Sequence, residues 1–131
     1  MGMKGLKKLG IVLLVLLGMG VLYQLVGMGI NHLATQKQTH ALQEILEREI
    51  SDIEIISVYA ETGNTSGTGN HVDCRSCITF STKMPEAEIA SRLAEYAMFG
   101  EDSWLVYKTA EGAYTICLTK TAPFADNIEG H

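Results

Sequence analysis

The feature that most constrains this chain is an apolar run near its N-terminus. Residues 9–30 read LGIVLLVLLGMGVLYQLVGMGI and contain no formal charge. A helix of this length is about 33 Å long and therefore spans the roughly 30 Å hydrocarbon core of a bilayer. The basic residues Lys4, Lys7 and Lys8 precede the run, and the positive-inside rule places them in the cytoplasm. The run predicts a single-pass signal-anchor helix at residues 9–30, with a cytoplasmic N-terminus at 1–8 and the remaining chain outside the cytoplasm.

A cleaved signal peptide is the alternative interpretation of the same residues, since it also combines lysines with an apolar run. The run is longer than the apolar region of most signal peptides, and no A-x-A motif follows it. No cysteine follows at the spacing of a lipoprotein signal. We therefore expect the helix to be retained as an anchor in the cell membrane.

Small and polar residues share one face of this predicted membrane helix. The residues at positions i, i+4, i+7 and i+11 are Gly20, Gln24, Gly27 and Asn31. Small residues allow membrane helices to approach closely, and a glutamine amide can form a hydrogen bond across the contact. One interpretation is a contact face for self-association or for a partner. The other is that glycines are common in membrane helices and that Gln24 meets water near the outer surface.

Charge is distributed unevenly along the chain. Residues 1–37 contain four lysines and no acidic residue, whereas residues 38–131 contain six basic and all fifteen acidic residues, a net charge of −9. Nucleic-acid binding depends on neutralising phosphates with Lys and Arg, so we expect no nucleic-acid partner. A soluble or cationic protein partner suits this acidic domain better than an anionic lipid surface does.

The chain beyond the membrane helix predicts a small domain of the α+β class. Residues 31–50 have apolar positions at helical spacing and predict a juxtamembrane amphipathic helix. A second helix is expected from Pro85 to Gly100. The predicted strands are 53–60, 77–82, 104–109 and 113–121, and a polar loop is expected at 61–76. This αββαββ order, counted from the juxtamembrane helix, predicts two helices on a mainly antiparallel four-stranded sheet, with the strands and the second helix in an α+β domain at residues 51–131.

The three cysteines permit one disulfide bond with one thiol left over. Strand alternation turns Cys77 and Cys117 away from the core, because Ile78 and Ile116 beside them are core candidates. A structural Cys77–Cys117 bridge is the leading interpretation, and Cys74–Cys117 is the second. Free, inert thiols are the remaining alternative.

Two further interpretations of the cysteines involve chemistry. Cys74 and Cys77 have the spacing of a redox dithiol, but they lead into a strand rather than a helix N-terminus, where the helix dipole would lower the thiol pKa. The residues that could hold a tetrahedral zinc ion are His71, Cys74, Cys77 and Cys117. Local spacing fits zinc, although the fourth ligand stands alone. We expect no cofactor, with zinc as the alternative.

Function is the least constrained property of this sequence. The residue types of a hydrolase triad occur at His71, Asp73 and Ser76, but three residues of one loop rarely converge, so a solvated loop is the simpler account. We expect a membrane-anchored, non-enzymatic accessory or binding module of the cell envelope that acts through protein contacts. It could self-associate through its membrane helix. The alternative is an extracytoplasmic thiol redox or zinc-binding protein.

Overall fold

The structure, a computed structural model, describes residues 2–67, 69–96, 98–99 and 104–131, without the side chain of Leu105. Its described part contains two α-helices and four strands, which confirms the predicted α+β class. In chain order the elements are α1 (Met3–Glu49), β1 (Glu54–Gly63), β2 (Asp73–Ser81), α2 (Glu86–Leu93), β3 (Trp104–Lys108), β4 (Tyr114–Thr121) and a short 3₁₀ turn (Ile128–Gly130).

The predicted membrane helix and the predicted juxtamembrane helix form one uninterrupted helix, α1, of 47 residues. No proline occurs in this segment and no glycine follows Gly29, so no residue breaks the hydrogen-bond ladder between the two parts. Within the described residues, α1 is the one helix that is long and apolar enough to cross a membrane. It ends at Glu49, and Asp52 with φ of 53° turns the chain towards β1.

The four strands form an antiparallel sheet in the order β1-β2-β4-β3. Each hairpin contributes its second strand to the centre, where β2 pairs with β4. In this register Cys77 lies directly opposite Cys117, and Ile78 lies opposite Ile116. The two halves of the αββαββ order therefore meet at the two cysteines.

The predicted loop at 61–76 is longer than the connection that the structure contains. Strands β1 and β2 stay paired as far as Gly63 and Asp73, so the connection covers only residues 64–72. Cys74 consequently lies in a strand. The hydropathy pattern does not predict these strand ends, because Thr62 and Ser76 face polar side chains of α1 instead of an apolar core.

The core lies between one face of the sheet, α2 and the C-terminal part of α1. Its fully buried side chains are Leu42, Leu46, Ile78, Phe80, Ile89, Leu93, Ile116 and Leu118. They come from the positions that helical spacing and strand alternation predict. Pro85, expected as the first residue of α2, is its N-cap, and the helix runs from Glu86 to Leu93. The predicted end, Gly100, lies outside the described residues.

Candidate interaction surfaces

A stripe of polar residues runs along the face of α1 that contacts the rest of the chain. We define this polar stripe as Gly27 together with Gln24, Asn31, Thr35, Gln38 and Thr39. Asn31 and Thr35 are buried despite their polarity. Buried polar groups are costly unless they form hydrogen bonds. The buried polar side chains of the stripe therefore need hydrogen-bond partners elsewhere in the chain.

The upper part of the polar stripe contacts the sheet. The Gln38 amide donates hydrogen bonds to the Cys74 carbonyl (3.0 Å), to Ser76 Oγ (3.0 Å) and to the Leu118 carbonyl (3.3 Å). The hydroxyl groups of Thr39 and Ser76 lie 2.7 Å apart. These bonds hold α1 in one register against β2 and β4.

The lower part of the polar stripe contacts the C-terminal tail, residues 122–131. The Asn31 side chain donates to the Phe124 carbonyl and accepts from the Phe124 N–H, both at 2.9 Å. About two helical turns below, Gln24 Oε1 accepts from the Ile128 N–H at 3.1 Å, and the Gln24 carbonyl accepts from the Asn127 side chain at 3.1 Å. The two amide side chains of α1 thus bind the backbone of the tail.

Gly27 lies between these two contacts and permits the close approach of the tail. A Cβ atom at Gly27 would lie 2.9 Å from Asn127 Nδ2 and 3.3 Å from Phe124 Cδ1. At Gly20, by contrast, a Cβ atom would meet none of the described atoms within 4 Å outside its own helix turns. Three of the four predicted contact residues, Gln24, Gly27 and Asn31, therefore contact a segment of the same chain. Self-association through this face stays a prediction.

The tail is also attached to the connection between β1 and β2. The Val72 N–H donates to the Ala125 carbonyl at 2.8 Å, and the Ala122 N–H donates to the Val72 carbonyl at 2.9 Å. At the end of the tail, Glu129 lies 2.5 Å from His32 of α1. The tail joins α1 to the domain, a role that sequence reasoning missed because residues 122–131 have no periodicity.

The structure brings together the leading cysteine pair. The sulfur atoms of Cys77 and Cys117 lie 2.14 Å apart, at disulfide distance. Cys74 lies on the opposite face of β2, buried, with its thiol 3.7 Å from the Asn31 carbonyl. Because Cys74 is opposite Lys120 in the sheet register, the second predicted pairing, Cys74–Cys117, is not formed.

The four residues of the zinc alternative do not converge. Cys74 and Cys77 are three residues apart on a strand, so their side chains point to opposite faces. His71 Nε2 lies 3.1 Å from the Asp73 carboxylate. Within the described residues, no group of three or more His, Cys, Asp or Glu side chains is close enough together to hold a metal ion. Ser76 bonds to α1, away from His71, so the triad residue types do not converge either.

The face of the sheet opposite the core is the second candidate surface. We call it the open face, and its residues are Ser57, Tyr59, Arg75, Cys77, Thr79, Tyr107, Thr115, Cys117 and Thr119. In the described part of the chain, both helices pack on the other face of the sheet. Tyr59 is 54% exposed and Tyr107 is 44% exposed.

The polar groups of the open face are partly ordered by one another. The hydroxyl groups of Thr79 and Thr115 lie 2.9 Å apart at the centre. At the edge, the Tyr59 hydroxyl donates to Glu61 at 2.9 Å. This hydrogen bond to a carboxylate raises the pKa of the Tyr59 phenol above its ordinary value. Exposed tyrosines are typical of protein-binding surfaces.

The chain shows no significant similarity to known proteins. No protein family matches the chain, and no curated protein or solved structure shows significant similarity to it. Fold and contacts define an α+β protein in which a candidate membrane-spanning helix continues into the domain.

Proposed function

We propose that this protein is a single-pass membrane-anchored, non-enzymatic binding module that presents its open face to a protein partner outside the cytoplasm. The observation that carries the proposal is the continuity of α1, whose C-terminal residues Leu42 and Leu46 belong to the domain core. An anchor joined to its domain by a flexible linker would leave the domain free to rotate. A continuous helix with a packed end holds the open face at one angle to the membrane.

The charge distribution supports the orientation and suggests the chemistry of the partner. Lys4, Lys7 and Lys8 at the N-terminus favour the cytoplasmic side. The remaining domain, at residues 38–131, has a net charge of −9. Acidic surfaces attract cationic partners and speed their association. We therefore propose a basic partner that is attracted by the charge of the domain as a whole, since the residues that define the open face include Arg75 and no acidic residue.

The contacts of the chemistry-bearing side chains support a role without catalysis. His71 pairs with Asp73, whose carboxylate also accepts a hydrogen bond from Thr65 at 3.2 Å. Cys74 is buried beside α1. These groups join the β1–β2 connection to its surroundings, and each has a structural partner.

Site-specific photo-crosslinking in intact host cells would test the proposal. A benzophenone amino acid would replace Tyr107 or Thr119 on the open face and, as a control, Ser91 on the exposed side of α2. We expect one discrete adduct from Tyr107 and Thr119, and none from Ser91. A second substitution, Tyr59→Ser, should lower the yield of the Thr119 adduct because it removes a contact with the partner. A five-fold higher salt concentration should also lower the yield because it screens charge.

The outcomes separate the partner classes. An adduct that contains two copies of this chain would replace the basic partner with self-association. Equal adducts from Ser91 and the open face, or none from either, would contradict the proposal.

Thiol chemistry is the second candidate, and one observation favours it: the Cys77–Cys117 pair is partly exposed on the open face. Partly exposed disulfides are the more accessible to exchange. Mass spectrometry after thiol alkylation, with a zinc assay on the same sample, distinguishes the candidates. A Cys77–Cys117 bond that resists mild reductant, with no zinc bound, would support the binding module. A readily reduced pair or stoichiometric zinc would support the second candidate.

A further inference from the structure

We infer that the C-terminal tail lies at membrane depth, with Phe124 and Ile128 in contact with lipid at the outer boundary of the bilayer. The tail would thus be a second membrane contact beside α1. The inference goes beyond the proposed function but rests on its membrane insertion of α1.

The height of the tail along α1 is the first observation. The tail contacts α1 from Tyr23 to His32. At the same height, the faces of α1 that the tail leaves free are apolar and exposed, for example at Val26 and at Leu33, which is 50% exposed. Of the exposed polar side chains of α1 at this height, Tyr23 packs against Phe124 and His32 pairs with Glu129, both of the tail; above it the exposed polar residues begin at Gln36. Two segments side by side at one height share one environment, so lipid that surrounds the free faces also reaches the tail.

The apolar side chains of the tail are the second observation. Ile128 is 61% exposed and lies in a groove with Leu17, Val21 and Leu25. The Phe124 ring packs edge-on against the Tyr23 ring, with centroids 5.9 Å apart. Both side chains extend the apolar surface of the predicted membrane segment. An aromatic pair at this level is typical of the boundary between the hydrocarbon and the headgroups.

The hydrogen bonding of the tail backbone is the third observation. Irregular backbone at membrane depth is tolerated only where the protein itself satisfies its polar groups. The side chains of Asn31 and Gln24 do this for Phe124 and Ile128. This requirement gives a reason for two amide side chains in an otherwise apolar helix segment.

The charged groups of the tail limit how deep it can lie. Asp126 is exposed and Glu129 pairs with His32 of α1, so the headgroup region suits the tail better than the hydrocarbon centre. The hydrocarbon would then be spanned by residues 6–23, a helix of about 27 Å. Lys7 and Lys8 can reach the inner headgroups with their long side chains.

Fluorescence quenching by brominated phosphatidylcholine would test the inference on the full-length protein in vesicles. Trp104 is the single tryptophan, so Trp104→Phe provides a background for tryptophans placed one at a time. Ile128→Trp reports on the tail, Leu14→Trp on the middle of the apolar segment, and Val58→Trp on an exposed edge of the sheet. Far-UV circular dichroism checks that the background folds. If the Trp104→Phe background does not fold, the same substitutions are made with Trp104 retained, and the quenching of the parent protein is subtracted.

We expect Leu14→Trp to lose most fluorescence with bromines deep in the acyl chain. Ile128→Trp should lose most with bromines near the headgroup, and Val58→Trp should lose none. If Ile128→Trp behaves like Val58→Trp while Leu14→Trp is quenched, the tail inference is wrong and the anchor stands. If Leu14→Trp is not quenched, the membrane insertion in the proposed function is wrong.

Discussion

The two halves of α1 have the same backbone geometry but differ in which side chains they bury. From Met3 to Tyr23 the large apolar side chains are exposed, Leu14 by 70%. From Gln24 to Glu49 one face is buried, and it includes the polar residues Asn31 and Thr35 as well as leucines. The helix of a water-soluble domain buries its apolar residues and exposes its polar ones.

The two halves of α1 are stabilised in different ways. No large apolar side chain of the exposed half is buried by the described residues, and lipid is the solvent that suits it. The other half binds its own domain through leucines at the top and amide hydrogen bonds lower down. Burying a leucine stabilises by about 1.5–3 kcal/mol, whereas a hydrogen bond contributes about 1 kcal/mol net. Each buried leucine therefore contributes more than any one of the amide hydrogen bonds, and the amides select the register.

Replacing a leucine in each half should give the largest difference. Leu46→Ala leaves a cavity in the core and should lower the free energy of unfolding by about 3 kcal/mol. Leu14→Ala, at an exposed position, should leave it within about 0.5 kcal/mol. Urea denaturation in detergent micelles, followed by Trp104 fluorescence, measures both. Equal losses would mean that Leu14 also packs against protein, and the contrast between the halves would fail.

A pair of glycine substitutions tests where the boundary between the halves lies. Gly27→Leu would collide with Asn127 and Phe124, and overpacking of this kind costs about 1–3 kcal/mol. At Gly20 the added side chain would meet open space, and Gly20→Leu raises the helix propensity as much as Gly27→Leu does. Hydrogen exchange should show faster exchange of the Phe124 and Ile128 amides in Gly27→Leu alone. If instead Gly20→Leu reduces cross-linking between copies of the chain, the open part of this face is a contact between molecules.

Removing one amide side chain should have a smaller effect. Asn31→Ala leaves the Phe124 N–H and carbonyl without their partner, at a cost of about 1–2 kcal/mol for a partly buried site. Gln36→Ala, on an exposed face of α1, serves as the control and should be nearly neutral. Thermal unfolding in micelles measures both changes. A neutral Asn31→Ala would show that the tail does not depend on the polar stripe.

The smallest effect is expected for a polar contact that stays in water. The Glu61 hydrogen bond raises the pKa of Tyr59, so the folded state holds this proton more tightly than the unfolded chain does. Its contribution to stability is present below the ordinary tyrosine pKa and is lost as pH rises through the raised value. Glu61→Gln should lower the pKa of Tyr59 in an ultraviolet absorbance titration, with Tyr59→Phe identifying the signal. An unchanged titration would show that the exposed bond is not maintained.

Much of the fold follows from local pattern. Apolar spacing at Leu42 and Leu46 predicts the packed end of α1, and alternation at Ile78 and Ile116 predicts which way Cys77 and Cys117 face. The polar ends of β1 and β2 could not be predicted from local pattern, because polar residues are expected to face water. Thr62 and Ser76 instead meet polar residues of α1, and a partner more than twenty residues away is invisible to a local pattern.

Residue spacing along single elements predicts the apolar segment, the αββαββ order and the face of Gly20, Gln24, Gly27 and Asn31. What occupies that face depends on the tertiary structure. The tail has no periodicity of its own, and its conformation is stabilised by hydrogen bonds to side chains about ninety to a hundred residues earlier. Such long-range contacts depend on how α1 and the sheet pack, which no local spacing specifies.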